Sequence, residues 1–569
     1  MRLIYILLLL CNFTVFGQAF QWGKRGGSTD SFSNGGEFGY DVITDSQRNI
    51  YVLSKVGIHN LDVDGNVKQG FGDPTSITDV MLASFSCDGN YRWSKVIGGS
   101  SPERKIRIQV DANDNIYVAG RFSSCDGLDQ YPSRIDNDVI LDQNNSACSL
   151  MFLAKFNSAG VMQWFKRPQP LVNVTASYGQ SGIEGVSTDI DGNTDLLLLI
   201  PPGTYADGAF TATEPGSHYY IFKYDTDGNF LQAFPIDIQH AIDVDPGLKM
   251  FINRNNGHYY FTGERDDDTD VITVGGSPVS NGFYLFSFDQ NGQFLWKRES
   301  IGSAAYFTAY NLAFDNQDNI YMAGQIVGFN SVSFLGFSSS VNEVPQYVMK
   351  MNPNADTLIW ASGSNRSVDT RGAMALNGNE VAVTAYAGLT WSWGSQSIVI
   401  NNLNQGTRTS LARFNATTGE CLHLDYIPSD FGGVNCGTSI TVDASGDYII
   451  GGALTGTQTY ATNSTSLVGG QSDFFVTKYA TAVCSPLKVD RLETTGLQFY
   501  PNPVKSVLTL EIANNMSYEL IDISGKRVLK GTVTKDNPDI SMAGVSIGNY
   551  ILRLKDANGI VKIVKLVKE

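Results

Sequence analysis

LASFSCDGNYRWSK, from Leu82 to Lys95, reads as one hairpin: an apolar strand, an Asp-Gly-Asn turn and a second strand carrying Trp93. Alternating apolar residues on both sides of a glycine turn are the strongest short-range hairpin signal. The pattern returns as FLAKFNSAGVMQWFK from Phe152, YIFKYDTDGNFLQAF from Tyr220 and LFSFDQNGQFLWKR from Leu285. It recurs as VMKMNPNADTLIW from Val348 and LARFNATTGECLHL from Leu411, and starts once more in FFVTKY from Phe474. The matched residues Phe85, Phe156, Tyr224, Phe288, Met351, Phe414 and Tyr479 are spaced by 71, 68, 64, 63, 63 and 65 residues. Such regularity marks a repeat of one supersecondary unit.

A second hairpin alternates with the first. It reads DVITDSQRNIYVLS from Asp41, IRIQVDANDNIYVAG from Ile106, GVSTDIDGNTDLLLL from Gly185 and MFINRNNGHYYFTG from Met250. Further copies are LAFDNQDNIYMAG from Leu312, AMALNGNEVAVTA from Ala373 and SITVDASGDYIIGG from Ser439. Two hairpins make four antiparallel strands per unit, and one such sheet cannot bury both faces alone. Seven units without helical periodicity predict an all-β chain built on a seven-bladed β-propeller.

The ends predict how the propeller closes. FFVTKYATAVC lacks the glycine turn and the Trp strand, whereas AFQWGKRGG from Ala19 resembles that missing strand, as in RWSKVIGG from Arg92. The N-terminal strand is therefore expected to complete the last blade, placing Trp22 beside the sheet that contains Phe475 and covering an otherwise exposed edge. Cys87 and Cys484 would then lie on adjacent blades, where a disulfide could join them. The repeats resemble the bacterial β-propeller repeats of exported proteins over roughly Ala19 to Pro486, through a degenerate Asp-turn-Asn-x-Tyr-Val-x-Gly motif. Asn253 and Leu376 stand where that motif has its leading Asp.

Arg2, the apolar run Leu3–Leu10 and the small residue Gly17 read as a secretory signal peptide over 1–17, cut between Gly17 and Gln18. The run is too short to span a bilayer, which takes about 20 apolar residues, and no other stretch is longer, so no transmembrane segment is expected. Cys11 follows Leu10, where a lipoprotein leader would carry a small residue. The six remaining cysteines permit disulfides in an oxidising compartment. Proximity in sequence points to Cys125–Cys148 and Cys421–Cys436, with buried thiols as the alternative.

Beyond Pro486 the character changes. Leu487–Glu569 holds twelve Lys or Arg against nine Asp or Glu, a balance of +3 in a chain whose formal charge is -16. A polar connector, 487–496, leads into a small β-sandwich expected over 497–569 after the propeller of 18–486. Tyr500-Pro501-Asn502-Pro503, Asp522-x-Ser524-Gly525-Lys526 and Gly548-Asn549-Tyr550, followed by the Lys-rich end, resemble the type A C-terminal sorting domain of the bacterial type IX secretion system. That resemblance implies recognition by the type IX machinery at the outer membrane. It also implies removal of the domain within the connector, with the passenger released or left on the cell surface.

Charged residues are 17% of the 569, aromatics 11%, and Gly numbers 58, a β-rich and turn-rich composition. The acidic balance argues against nucleic acid and anionic membranes as partners. His59, His218, His240, His258 and His423 show no metal-ligand spacing, and no nucleophile elbow or phosphate loop is present, so no cofactor and no catalytic residue is assigned. The Asp-x-Asp-Gly-Asn turns at Asp62, Asp189 and Asp225 could offer oxygens to calcium but run straight into strands, which favours plain hairpin turns. The acidic run Asp266, Asp267, Asp268 and Asp270 reads as a solvated loop. Trp391 and Trp393 share a strand face, either as packing between blades or as a platform for sugar rings. These features predict a monomeric, secreted or surface-displayed module that binds an extracellular glycan or protein. The competing reading is a polysaccharide hydrolase or lyase whose acids meet at the propeller mouth.

Overall fold

The computed structural model describes residues 17–30, 36–72, 78–99, 104–122, 131–141, 150–168, 182–189, 192–240, 247–265, 271–280, 282–302, 306–327, 332–338, 345–365, 371–400, 406–430, 433–484, 498–512, 515–522, 527–556 and 561–569. The expected leader up to residue 16, Cys125, Cys148, Asp266–Asp270, the connector and the pair Gly525 and Lys526 lie outside them. The chain divides into two compact units, Met1–Ser485 and Pro486–Glu569. It is all-β: strands account for its regular structure, and one 3-10 turn at Ala206–Gly208 is the exception among the described residues.

The first unit contains seven sheets with a core of four antiparallel strands each. Sheet 1 begins with Phe38–Thr44, sheet 2 with Arg104–Val110, sheet 3 with Gly182–Thr188 and sheet 4 with Lys249–Asn253. Sheet 5 begins with Tyr306–Phe314, sheet 6 with Ala373–Asn377 and sheet 7 with Cys436–Val442. In sheets 1 to 6 the chain steps outward through two hairpins, as the alternating apolar pattern demands. The seven first strands also touch one another in sequence order, sheet 1 to sheet 2 and onward, and the first strand of sheet 7 touches that of sheet 1.

Sheet 7 takes its fourth strand from the other end of the unit. Ala19–Gly27 pairs antiparallel with Asp473–Ala480, Trp22 opposite Lys478 and Arg25 opposite Phe475. Its Gly26 and Gly27 go on to pair with Val63 and Asp62, a short hairpin from sheet 1. The same device recurs between sheets 1 and 2, where Arg134 and Ile135 extend the strand Tyr91–Gly98. Each sheet therefore lends a small hairpin to the edge of its predecessor there.

Tryptophan secures the same joints. The Trp93 indole donates to Ser158 O at 3.0 Å, Trp164 to Thr226 O at 3.2 Å and Trp360 to Ala416 O at 3.1 Å, each acceptor lying in an outer turn of the next sheet. Those turns need glycine twice over. Gly160, Gly228 and Gly419 have positive φ, and a Cβ there would strike the indole of Trp93, Trp164 and Trp360 respectively. Trp22 packs on Gly89 of sheet 1 in the same way.

A disulfide adds a covalent tie at that place, joining Cys87 in the turn before Gly89 to Cys484, with Cα atoms 5.4 Å apart. It closes 397 residues of chain, so it removes much freedom from the unfolded state. Cys484→Ser is expected to lower unfolding free energy by about 2–4 kcal/mol, read by denaturant titration. An unchanged midpoint, equal to that of the reduced wild type, would show that the paired strands alone hold the joint.

The expected Cys421–Cys436 bridge does not form. Both side chains are buried and outside any disulfide. Cys421 begins the outermost strand of sheet 6 and Cys436 the first strand of sheet 7. Cys421 pairs with Phe414 at the far end of the third strand of sheet 6, whereas Cys436 opens the first strand of sheet 7. The two thus sit at opposite strand ends, about 20 Å at roughly 3.3 Å per residue and beyond the Cα separation of about 7 Å that a disulfide spans. Trp391 and Trp393 are buried as well, edge-to-face at 6.5 Å, with Trp393 against Phe414 at 4.9 Å. They are core packing and offer no platform to a sugar.

The second unit is two sheets around one core. Gln498–Tyr500, Val507–Glu511 and Asp539–Ser541 form the first, and Met516–Asp522, Arg527–Val533, Gly548–Asp556 and Val561–Lys568 the second. Leu508, Leu510 and Ile540 meet Leu520, Leu552 and Leu566 between them.

Candidate functional site

A cavity of about 560 Å³ opens where the seven first strands meet, and every one of the seven contributes to its wall. The residues four positions before the turn residues Asp45, Asp111, Asp189, Asn253, Asp315, Asn377 and Asp443 are Asp41, Arg107, Gly185, Lys249, Asn311, Ala373 and Ser439. All seven line the cavity. Equivalent register puts them at one level. Bulges on several first strands, at Gly39/Asp41, Ile183/Gly185, Ala309/Asn311 and Gly437/Ser439, re-aim side chains near this level. Among the residues skipped by those bulges, Tyr40, Tyr310 and Thr438 line the wall too.

Side-chain clasps hold the strands together around the cavity. Asn311 Nδ2 donates to Met374 O at 2.7 Å while its Oδ1 accepts Met374 N–H at 2.8 Å, coupling sheet 5 to sheet 6. Thr438 Oγ1 donates to Gly39 O between sheets 7 and 1, and Thr44 Oγ1 to Val442 O at 3.2 Å.

The wall is cationic although the chain is acidic. Arg107, Lys249, Arg254 and Arg371 line it, and among the described lining residues Asp41 is the one acid. Burial pushes the Asp41 carboxyl up to about 6, against the opposing pull of Arg107. Burial pushes the Lys249 ammonium down, with Glu264 working against that and Arg107 adding to it. Lys249 Nζ donates to Ala309 O at 2.6 Å. Arg254 donates to Thr188 O at 3.0 Å and to Thr188 Oγ1, and burial lowers it too. The Arg371 guanidinium lies 5.5 Å from the centre of the Phe38 ring, a cation–π contact.

Next to Phe38, Glu37 is buried at the joint between sheets 7 and 1. It accepts from Ser28 N at 2.9 Å, Ser28 Oγ at 2.5 Å and Gly57 N at 2.6 Å. Burial dominates these donors and, with the charge of Asp473, pushes Glu37 up from 4.5 to about 8. Such a carboxyl keeps its proton in the folded state over a range where the unfolded chain has lost it. Stability should thus be full below about pH 4.5 and fall by roughly 2–4 kcal/mol as pH rises to about 8. Unfolding free energy measured across that window should slope downward, and Glu37→Gln should make the slope shallower, the rest coming from other raised carboxyls such as Asp41 and Asp473; a slope unchanged by Glu37→Gln would refute the assignment.

The residues singled out from sequence are not part of this cavity. Gln18 accepts a hydrogen bond from Arg413 Nη1 at 2.6 Å, and Gly17 is exposed. In the turn Asp225–Asn229, Asp225 Oδ1 accepts Asp227 N and Asn229 N while Oδ2 accepts Asn229 Nδ2, so the turn's own donors occupy the carboxylate. Asp62 instead pairs with Arg25 at 2.9 Å. Tyr219 donates to or accepts from His240 at 2.9 Å, and His59 sits 2.6 Å from Asp30. No group of three or more metal-ligating side chains occurs among the described residues. Sequence reading missed Arg107, Lys249, Arg254 and Arg371, since no local motif surrounds them. Their shared offset from the turn is the signal that could have found Arg107 and Lys249.

In the second unit, Asn502 works as a clasp. Its Nδ2 donates to Lys565 O at 3.1 Å and its Oδ1 accepts Val567 N–H at 2.8 Å, which fastens the final strand. Flanking it, the Tyr500–Pro501 and Asn502–Pro503 peptides are both cis. Tyr550 OH donates to Ser546 O at 2.8 Å, Gly548 opens the strand that Tyr550 occupies, and Asp522 ends the strand paired with it. Residues 498–569 match the family model of the secretion system C-terminal sorting domain. The chain carries a type IX sorting tail. It is exported through type IX secretion to the cell surface or the extracellular space.

Ahead of the sorting tail the relatives are distant. An uncharacterized WD repeat-containing protein, L264, of Acanthamoeba polyphaga mimivirus is 22% identical over 274 residues, which is 42% of this chain and 19% of that protein. The chain thus spans about a fifth of that relative's length. A solved protein of unknown function from Dyadobacter fermentans is 11% identical, with a TM-score of 0.34 over 66% of this chain and 94% of that one. The rhamnogalacturonan lyase PL11 of Bacillus licheniformis is 12% identical, with a TM-score of 0.31 over 82% and 76%. Among the described residues no helix is long and apolar enough to cross a membrane.

Proposed function

We propose that the chain is a secreted or surface-displayed binding protein whose first unit is a seven-bladed β-propeller and whose ligand enters the cavity between the blades. Seven four-stranded sheets whose first strands touch in a cycle support the propeller, as does the N-terminal strand that completes sheet 7. Maturation by cleavage after Gly17 and again within the connector 487–496 fits export followed by release or surface attachment. The observation that carries the binding reading is the cavity itself, walled by all seven sheets and sized within the range of about 300–1,000 Å³ common for ligand sites.

Carbohydrate hydrolysis by the usual route needs a pair of carboxyl groups about 5–10 Å apart flanking the scissile bond. Among the described lining residues Asp41 stands without a second acid, which favours binding over hydrolysis. Screening the secreted protein on a glycan array and by pull-down, with reducing-end release followed in parallel, tests the reading. Retention without turnover is the expected outcome. Sustained release of sugar from a polysaccharide would replace the binding protein with a hydrolase or lyase.

A further inference from the structure

The cavity has a chemical character of its own. Among the described lining residues four groups are cationic and one is acidic, a local balance of +3 inside a chain of formal charge -16. Adding Glu264, which acts on Lys249 from outside the lining, still leaves +2. Arg107 comes from sheet 2, Lys249 and Arg254 from sheet 4, and Arg371 from the residues just before sheet 6. Like charges brought together oppose folding. Lys249 and Arg254 each also donate to a neighbouring sheet, at Ala309 O and at Thr188, yet those contacts leave the net positive balance of the wall in place.

Arg107 and Lys249 share one level of the wall, with Gly185 between them. A Cβ on Gly185 would meet Met250 Cβ at 2.8 Å, so glycine there admits the neighbouring strand, and the two cations are close enough for Arg107 to disfavour charge on Lys249. Asp41 flanks Arg107 on its other side. Phe38 and Tyr40 of sheet 1 and Tyr310 of sheet 5 also line the cavity. A guanidinium and an ammonium lining one cavity suit an oxyanion, since the planar fork meets two oxygens and the ammonium a third.

Resting on the binding reading above, we propose that the cavity takes a small sugar-sized ligand bearing carboxylate or sulfate groups, with one oxyanion held between Arg107 and Lys249 across Gly185. The aromatic rings then pack on the apolar face of the ligand, and Asp41 tunes the site by competing for Arg107.

Calorimetric titration of the secreted protein with trigalacturonate, a sulfated disaccharide, inorganic sulfate and neutral maltotriose tests this. Either of the first two should bind at least tenfold more tightly than maltotriose, and added salt should weaken binding. Preference between them separates a uronate source from a sulfate-ester source. R107Q and K249M should each weaken binding about tenfold or more, the scale of a charge-assisted hydrogen bond. D41N should tighten binding about threefold to tenfold, a gain that no unfolding artefact would mimic. Circular dichroism and thermal midpoints confirm that each variant is folded. Absence of anion binding by the wild type, or binding indifferent to R107Q, K249M and D41N, overturns the proposal. Should maltotriose bind equally well, the oxyanion assignment falls while the binding protein stands; should none of these ligands bind and the glycan array and pull-down stay blank, both fall.

Discussion

A chain ending at Cys484 is expected to remain in the periplasm, with the surface and medium fractions losing essentially all of it. The sorting tail is the part matched to the secretion system, and its core draws on its own residues, from Val504 to Leu566. The core clusters of the first unit likewise contain no residue beyond Val483. Removing 485–569 therefore takes away the export signal and leaves the passenger's packing intact. Fractionation and immunoblotting of the truncated and full-length chains check this, together with protease resistance of the retained passenger. Undiminished arrival of the truncated chain in the medium would mean that another segment directs export.

The largest single-residue effect on stability is expected at Lys478. Its ammonium lies fully buried, 2.7 Å from Asp443 and 3.0 Å from Asp447, and 3.3 Å from Cys87 Sγ. Lys478→Ala would leave two buried carboxylates facing one another without a cation, a loss of about 3–5 kcal/mol. The same bridge recurs at Lys350 with Asp315 at 3.0 Å and at Lys223 with Asp189 at 3.3 Å. Lys350 is 12% exposed against 0% for Lys478, so water can compensate there and Lys350→Ala should cost less. Denaturant unfolding of the two variants gives the comparison. Equal small losses at both sites would show that the buried carboxylates of sheet 7 find other donors or take up protons at little cost.

These bridges show how far local pattern reaches. Lys155, Lys223, Lys350 and Lys478 precede the aromatic or Met residue that sets the repeat period, and Asp111, Asp189, Asp315 and Asp443 head the turns. Both halves of the pattern were visible as text. Their pairing was not, because it links the third strand of a hairpin pair to the turn between the first two, a contact made only once the sheet is assembled. Strand alternation, turn glycines and the displaced Trp strand were legible for the opposite reason. They act between residues a few positions apart, where chain geometry leaves few choices. The place of Trp22 beside the sheet containing Phe475 followed from one deficit, a third strand at the end without its fourth; its register opposite Lys478 came only with the structure. The cysteines divided along the same line. Closeness in sequence favoured Cys421 with Cys436, yet an outer and a first strand hold them apart, whereas Cys87 and Cys484 meet across 397 residues.

By itself, then, the sequence determined that this chain is all-β and that it carries a sorting tail. Period-2 alternation, glycine turns and contiguous motifs are local, and local constraints survive in a linear string. The cationic cavity was decided by tertiary structure alone. Asp41, Arg107 and Lys249 are separated by 66 and 142 residues in the chain. They share a level only because separate sheets carry the same register into a common centre, where burial and mutual charge then set what each group can bind.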